Sequence, residues 1–136
     1  MTEHAAQLPE IDRVRLDEAV ARLGLRLVVL YGSHARGRPP PGPDSDVDVA
    51  VLGCPARRLL DCYQALAPAF PGAPLDLVRL EEADPLFRQE IMSAGVRLAG
   101  DPDLFCDYRS YAYRDYVDSA DLRALVVQLL SRDPAR

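Results

Sequence analysis

The sequence predicts an α/β fold, or α+β if neighbouring strands run antiparallel, with a mixed central sheet flanked by helices and a long C-terminal helical segment. Two observations predict it. Short runs rich in leucine and valine alternate with segments of helical periodicity, and a proline-rich connection separates the first two runs. The chain has 136 residues, 49% of them hydrophobic, which is enough to bury one core. We therefore expect a single domain over residues 1–136.

The first part of the chain predicts one helix and two strands. Apolar residues recur at helical intervals over residues 11–24, and Gly24 offers a stop. Residues 25–32 predict a strand that ends at a glycine, and residues 46–53 predict a second strand. The loop between them contains four prolines and is too short and stiff for a helical crossover. We expect these two strands to be antiparallel neighbours.

The second part of the chain predicts helices joined to two more strands. A helix with Pro55 in its first turn leads to a strand over residues 74–80. Residues 81–95 predict a helix that ends at a glycine, and residues 96–100 predict a short fourth strand. Residues 101–131 predict a helical segment, formed as one long helix or two shorter ones.

The amino-acid composition excludes several kinds of ligand and catalytic group. The net charge of −5 disfavours direct binding of a nucleic-acid backbone, which needs a basic face. The sequence contains no lysine, so a Schiff base or a P-loop lysine is excluded. Any phosphate must therefore be bound by arginine side chains or by backbone N–H groups.

The cysteines indicate a reducing compartment. Their number is odd and none forms a CxxC pair, so we interpret them as small apolar core residues rather than zinc ligands: Cys54, Cys62 and Cys106. The absence of a signal peptide pattern agrees with a cytoplasmic location, and no apolar run approaches the ~20 residues that would span a membrane.

Two aspartates open the second predicted strand. Asp46 and Asp48 are two residues apart and share one face of that strand, with Cα atoms ~6.5–7 Å apart. Val47, Val49 and Val51 point to the opposite face, where we expect core contacts. Carboxylates at this spacing can converge on hard cations, and ligation by oxygen alone selects Mg²⁺ or Mn²⁺.

Asp76 is a third candidate ligand. It is the one charge inside "PLDLV", and we expect it beside Asp48 on a neighbouring strand. A lone carboxylate in an apolar strand is costly unless it is paired or bound to metal. The alternatives are a strand-edge carboxylate bridged to an arginine such as Arg79, and a capping role for Asp46.

The Gly-Ser pair at the end of the first predicted strand points to a phosphate. Gly32 lets the backbone approach an anion closely, and Ser33 offers a hydroxyl and N–H groups where a short helix or turn begins. Arg36 and Arg38 follow and could grip phosphate oxygens. If the two strands are antiparallel neighbours, this anion site adjoins the aspartates, and a metal–triphosphate fits between them.

These residues resemble the nucleotidyltransferase superfamily typified by DNA polymerase β, most closely its minimal nucleotidyltransferases (MNT). The family signature is Gly-Ser, typically ten residues, then Asp-x-Asp. "GSHARG" and "SDVDVAV" reproduce both halves, within a motif core over residues 25–80. "IMSAGVRLAG" and the tyrosine-rich helix are similar to the usual ending of the family. Twelve residues, rather than ten, separate Ser33 from Asp46, and the proline-rich loop can absorb the excess.

The resemblance implies a palm-like domain that binds ATP or another NTP. It places the β- and γ-phosphates on Gly32 and Ser33, with Arg36 supporting the triphosphate or its loop. Asp46 and Asp48 would bind two Mg²⁺ ions, with Mn²⁺ as a substitute. Asp76 would be the third carboxylate, a ligand of the catalytic metal that helps to activate an acceptor hydroxyl for attack on the α-phosphorus.

The resemblance also implies a partner. Many minimal nucleotidyltransferases are antitoxins that adenylylate a tyrosine of a HEPN ribonuclease toxin, so a HEPN partner is expected, in a homo- or hetero-oligomer. The helical segment 101–131 holds four of the six tyrosines and is the expected partner surface. The alternatives are transfer to a small-molecule hydroxyl and a catalytically silent module that masks its partner. A phosphatase of the haloacid dehalogenase type is disfavoured because its aspartates follow a strand. His34 is expected to be a solvated loop residue.

Overall fold

The computed structural model describes residues 8–37 and 45–131, which form a mixed four-stranded sheet. The order of strands across the sheet is β3-β2-β1-β4. The strands are β1 (Leu27–Tyr31), β2 (Val47–Leu52), β3 (Leu75–Arg79) and β4 (Val96–Gly100). β1 runs antiparallel to β2 and β4, and β2 runs parallel to β3. The predicted mixed sheet and the antiparallel pairing of the first two strands are confirmed.

Helices cover both faces of the sheet. They are α1 (Arg13–Leu23), α2 (Ser33–Arg36), α3 (Leu59–Leu66), α4 (Pro85–Ala94), α5 (Pro102–Asp118) and α6 (Ala120–Leu130). Short 3₁₀ turns over Ala56–Arg58 and Ala67–Ala69 flank α3, and a third over Leu80–Glu82 precedes α4. None of the helices in the described part of the chain is long and apolar enough to cross a membrane.

Two helices begin later than predicted, and the C-terminal segment takes the second of its two predicted forms. Pro55 precedes a 3₁₀ turn, so α3 begins four residues later. The helix predicted from residue 81 begins at Pro85, because the side chain of Asp84 accepts a hydrogen bond of 2.8 Å from the Phe87 N–H. The C-terminal segment forms two helices that meet at Ser119.

Alternation along the strands separates two hydrophobic clusters. One face of the sheet packs with α1 and α3, and the strand residues on it include Val28, Leu30, Val47, Val49 and Val51. The other face packs with α4 and α5, and its strand residues include Leu27, Val29, Ala50 and Leu52. The valines of β2 are therefore in the core, as predicted, and Asp48 points to the face that α4 and α5 cover.

The cysteines divide by environment. Cys54 and Cys62 are buried, as predicted, and burial with the neighbouring Cys54 raises the pKa of the Cys62 thiol to about 12. The prediction of a core position was wrong for Cys106, which is exposed on α5 because its neighbour Phe105 occupies the buried position there.

A buried arginine ties the α4–α5 layer together. The Arg88 guanidinium donates to the Leu80 carbonyl from Nε (3.1 Å) and Nη2 (3.0 Å), and to Asp115 Oδ2 from Nη1 (3.1 Å). One side chain thus joins α4 to α5 and to the turn before α4. Buried arginines are stabilising when each donor finds an acceptor, and removing one leaves its acceptors without a partner.

We expect Arg88→Met to lower the free energy of unfolding by about 3 kcal/mol, because it leaves the Leu80 carbonyl and Asp115 without their donor. Urea denaturation followed by circular dichroism measures the change. Arg13→Met is the matched control, since Arg13 pairs with Asp17 on an exposed surface and should contribute less than about 1 kcal/mol. Equal losses in the two variants would contradict this role for Arg88.

Candidate active site

The turn after β1 is built around a glycine. β1 ends at Tyr31, Gly32 has φ 75° and ψ −153°, and the single turn of α2 begins at Ser33. The Gly32 carbonyl accepts hydrogen bonds from the N–H groups of Ala35 (3.1 Å) and Arg36 (3.0 Å). The start of a helix directs backbone N–H groups and the positive end of its dipole outward, which suits the binding of an anion at this turn.

Gly32 lies directly against the carboxylate of Asp48. A Cβ atom added to Gly32 would overlap Asp48 Oδ2 and lie 3.0 Å from its Cγ. The backbone angles of Gly32 fall in a region that only glycine adopts readily. The Gly-Ser turn and the aspartates therefore lie together in space, as the sequence predicted from the antiparallel pairing.

Asp48 and Asp76 lie side by side, and the charge of Asp46 acts on Asp48. Asp48 and Asp76 are register partners on the parallel strands β2 and β3, and the negative charge of Asp76 acts on Asp48. Burial raises the pKa of Asp48 to about 6, with further contributions from the negative charges of Asp76 and Asp46, while His34 acts in the opposite direction. Asp46 is exposed and lies one residue before β2.

A pocket of about 320 Å³ opens over Asp48 and Asp76. Tyr31 lies at its base, and burial followed by the charges of these two aspartates raises the pKa of the phenol well above its usual range. The pocket is lined by Tyr31, Gly32, Arg36, Asp48, Asp76, Phe87, Glu90, Ile91 and Ala94. A larger groove of about 640 Å³ lies between α1 and α3 and contains none of these residues.

One wall of the pocket comes from α4. Phe87, Glu90, Ile91 and Ala94 follow one another at positions i, i+3, i+4 and i+7, so they share one face of the helix. The Phe87 ring packs edge-on against Tyr31, with centroids 5.8 Å apart. The sequence analysis did not single out these residues. Their spacing in the sequence indicates one face of a helix, but it does not indicate which part of the protein that face contacts.

The sequence that forms this site matches a known protein family. Residues 17–103 match the model of the family "Polymerase beta, Nucleotidyltransferase", which is more than half of the chain. The chain belongs to this nucleotidyltransferase family. The matched residues include the Gly-Ser turn, the three aspartates and α4, so the resemblance drawn from "GSHARG" and "SDVDVAV" is confirmed.

Solved structures share the fold of this nucleotidyltransferase. A chain of a toxin–antitoxin crystal structure with AMP-PNP has a TM-score of 0.70 and 22% identity, covering 89% of this chain and 100% of that chain. A chain of the tri-AMPylated Shewanella oneidensis HEPN toxin in complex with MNT antitoxin has a TM-score of 0.64 and 21% identity, covering 88% and 96%. A chain of the MntA–HepT toxin–antitoxin structure also has a TM-score of 0.64 and 21% identity. No curated protein matches the chain.

The other predicted residues of this nucleotidyltransferase have mixed outcomes. Arg36 is exposed and lines the pocket, as the predicted phosphate contact requires. Arg79 donates to the Cys54 carbonyl and pairs with Glu82, and these contacts do not support the alternative of a bridge to Asp76. Arg38 and most of the long proline-rich loop lie outside the described residues.

The prediction for His34 was wrong. It is buried rather than solvated, because the turn of α2 directs it inward. It lines a small pocket with Ser45, Val47 and Phe70, on the side of α2 that faces the body of the protein. Its position beside the aspartates is consistent with its lowering effect on the pKa of Asp48.

The donor set suits a divalent metal. Nucleotidyltransferases of this family generally use one, and carboxylate oxygens select Mg²⁺ or Mn²⁺ over softer ions. Within residues 8–37 and 45–131, no group of three or more His, Cys, Asp or Glu side chains is already arranged as a metal site. Asp48 and Asp76 nonetheless lie side by side, and a cation between them would counter both the burial and the carboxylate repulsion that raise the pKa of Asp48.

The raised pKa of Asp48 predicts a pH-dependent stability in the absence of divalent ions. The folded protein binds the Asp48 proton more tightly than the unfolded chain, so this contribution to stability is lost as pH rises from about 4 through about 6. Asp48→Asn removes it. We expect the variant to gain about 1 kcal/mol over the wild type across this range, a value discounted for solvent screening.

Urea denaturation in EDTA at several pH values measures this difference. Asp61→Asn is the control, because Asp61 is exposed on α3 and pairs only with Arg58 among the ion pairs found. Its difference from the wild type should stay constant over the same pH range. A difference for Asp48→Asn that does not change between pH 4 and pH 7 would contradict the raised pKa of Asp48.

Proposed function

We propose that this nucleotidyltransferase transfers AMP from ATP to a tyrosine hydroxyl of a HEPN-type toxin and acts as its antitoxin. The observation that carries the proposal is the meeting of Asp48 and Asp76 beside the Gly32 turn, within the sequence that matches the family. The shared fold supports it, because the solved relatives include a toxin–antitoxin structure with AMP-PNP and an AMPylated HEPN toxin in complex with an MNT antitoxin.

The nucleotide would be held on the turn. The backbone of Gly32 and the hydroxyl of Ser33 would bind the β- and γ-phosphates, and the Arg36 guanidinium would reach the same oxygens from the pocket wall. Asp46 and Asp48 would hold two Mg²⁺ ions, or Mn²⁺ in their place. Those ions, when bound, stabilise charge on the attacking and leaving oxygens.

The reaction exchanges one phosphorus–oxygen bond for another. The acceptor oxygen forms a bond to the α-phosphorus while the bond to the bridging oxygen of the β-phosphate breaks, and pyrophosphate leaves with that oxygen. Asp76 lines the pocket beside Asp48 and would orient the acceptor hydroxyl and take its proton, which then passes to solvent. The products are the AMP ester of the acceptor and pyrophosphate.

The C-terminal helices α5 and α6 expose aromatic and apolar side chains to which a protein partner would bind. Tyr111 and Tyr113 of α5 are exposed, whereas Tyr108 packs in the core. α6 has no buried residue, and its exposed apolar side chains are Leu122, Leu125, Val126, Val127, Leu129 and Leu130. Exposed apolar surface of this extent is typical of an interaction site, which supports the predicted partner surface over residues 101–131.

A transfer assay tests the proposal. The chain is incubated with α-labelled ATP, Mg²⁺ and the HEPN-type protein encoded beside it, and the label on each protein is measured by mass spectrometry after gel separation. We expect AMP on a tyrosine of the partner, and no label when EDTA is added. Folded components that bind each other and bind Mg–ATP without any transfer would contradict the proposed activity.

A further inference from the structure

The α4 wall of the active-site pocket has no role in the nucleotidyltransferase motif. Phe87, Glu90, Ile91 and Ala94 line the same pocket as Asp48 and Asp76, yet they lie beyond the Gly-Ser turn and the three aspartates in sequence. Phe87 is half-buried, Ile91 is buried, and Glu90 and Ala94 are exposed. The wall therefore combines an apolar floor with one carboxylate at its surface.

This wall is unsuited to the triphosphate. A phosphate needs N–H groups or cations, which Gly32, Ser33 and Arg36 offer on the α2 side of the pocket. Phe87, Ile91 and Ala94 have no side-chain donor, and the charge of Glu90 repels phosphate oxygens. The wall must therefore meet a part of the reactants that is apolar or positively charged.

The nucleobase and the acceptor both fit that description, and the position of Asp76 favours the acceptor. An acceptor hydroxyl has to reach Asp76 to be oriented, and Asp76 lies in the pocket that the α4 wall encloses. Phe87 already packs edge-on against Tyr31, which leaves an aromatic surface for another ring at the same wall. Glu90 adds a third carboxylate to the lining of this pocket beside Asp48 and Asp76, so a positively charged neighbourhood favours binding and an anionic one opposes it.

We propose that the α4 wall is the acceptor subsite, in which Phe87 and Ile91 hold an aromatic ring and Glu90 selects acceptors flanked by positive charge. The acceptor is then a phenolic hydroxyl beside arginine or lysine residues. The inference rests on the proposed transfer of AMP, and it assigns the choice of acceptor to residues outside the family motif.

Three short peptides serve as probes of the full-length chain with ATP and Mg²⁺. The first has a central tyrosine flanked by arginines, the second has the same tyrosine flanked by glutamates, and the third has a central serine flanked by arginines. We expect kcat/KM for the first peptide to exceed that for each of the others at least tenfold. Phe87→Ala should raise the KM for the first peptide at least tenfold, with the KM for ATP within twofold of the wild type.

Matched variants distinguish a specific loss of acceptor binding from a nonspecific effect of substitution on the structure. Phe87→Leu keeps the apolar volume and should lose less than Phe87→Ala, and Glu90→Arg should reverse the preference between the arginine and glutamate peptides. Leu86→Ala truncates an exposed apolar side chain that lines a different pocket on the same helix, so its kinetics should match the wild type.

Two results would overturn the inference. One is that Phe87→Ala and Glu90→Arg leave the KM for the peptides unchanged. If the KM for ATP rises in these variants instead, the nucleobase and not the acceptor lies on the wall. The other is a wild-type chain that binds Mg–AMP-PNP but labels none of the peptides. A wild-type chain that binds no Mg–AMP-PNP would contradict the proposed function itself.

Discussion

Asp48→Asn is expected to reduce AMP transfer about a thousandfold or more while the fold stays intact. An amide in place of the carboxylate removes one charge from the metal-binding pair, and metal stabilisation of the transferred phosphoryl group is worth several kcal/mol. Asp46→Asn should have a similar effect. The initial rate of label transfer from α-labelled ATP to the partner measures both variants.

The loss in Asp48→Asn can be distinguished from misfolding. The variant should unfold at a higher urea concentration than the wild type near pH 7, because it no longer buries a charged carboxylate beside Asp76. Asp61→Asn, an exposed change on α3, should keep full activity. Transfer within tenfold of the wild type would contradict the assignment of Asp48. Neutralisation of the toxin by a double variant, Asp46→Asn with Asp48→Asn, would favour the silent masking module.

Gly32→Ala is expected to abolish transfer and to lower the free energy of unfolding by about 2–4 kcal/mol. The new methyl group would overlap the Asp48 carboxylate, and alanine is strained at φ 75° and ψ −153°. The phosphate turn and a metal ligand would be displaced together. Transfer rate and urea denaturation measure the two effects.

Gly24→Ala is the matched control. Gly24 also has a positive φ of 67°, but an added Cβ would meet nothing within 4 Å, so we expect a cost of about 1 kcal/mol and unchanged activity. In an Asp48→Ala background, Gly32→Ala should cost less stability than in the wild type, because the overlapping carboxylate is absent. Equal costs in both backgrounds would contradict the close contact between Gly32 and Asp48.

The site aspartates were predictable because strand geometry is local. Side-chain alternation predicts that Asp46 and Asp48 share one face, and the proline-rich connection favours antiparallel pairing with β1. Asp76 was expected on a strand next to Asp48, but the sequence did not predict the exact register. The register depends on how α3 returns the chain to a parallel strand.

The α4 wall and His34 could not be predicted in the same way. The apolar face of α4 has an ordinary amphipathic spacing, and its meeting with the site depends on where the whole helix packs on the sheet. His34 follows a Gly-Ser pair and precedes a proline-rich loop, so its sequence context is that of a solvated turn. Its burial follows from one turn of helix that the sequence analysis did not commit to.

A crystal structure of this nucleotidyltransferase with Mn²⁺ and AMP-PNP tests the central claim most directly, because Mn²⁺ has a measurable anomalous signal. We predict anomalous peaks within ligand distance of the Asp46 and Asp48 carboxylates, with the triphosphate on the turn at Gly32 and Ser33. Nucleotide in the groove between α1 and α3, or Mn²⁺ bound away from these aspartates, would contradict the account.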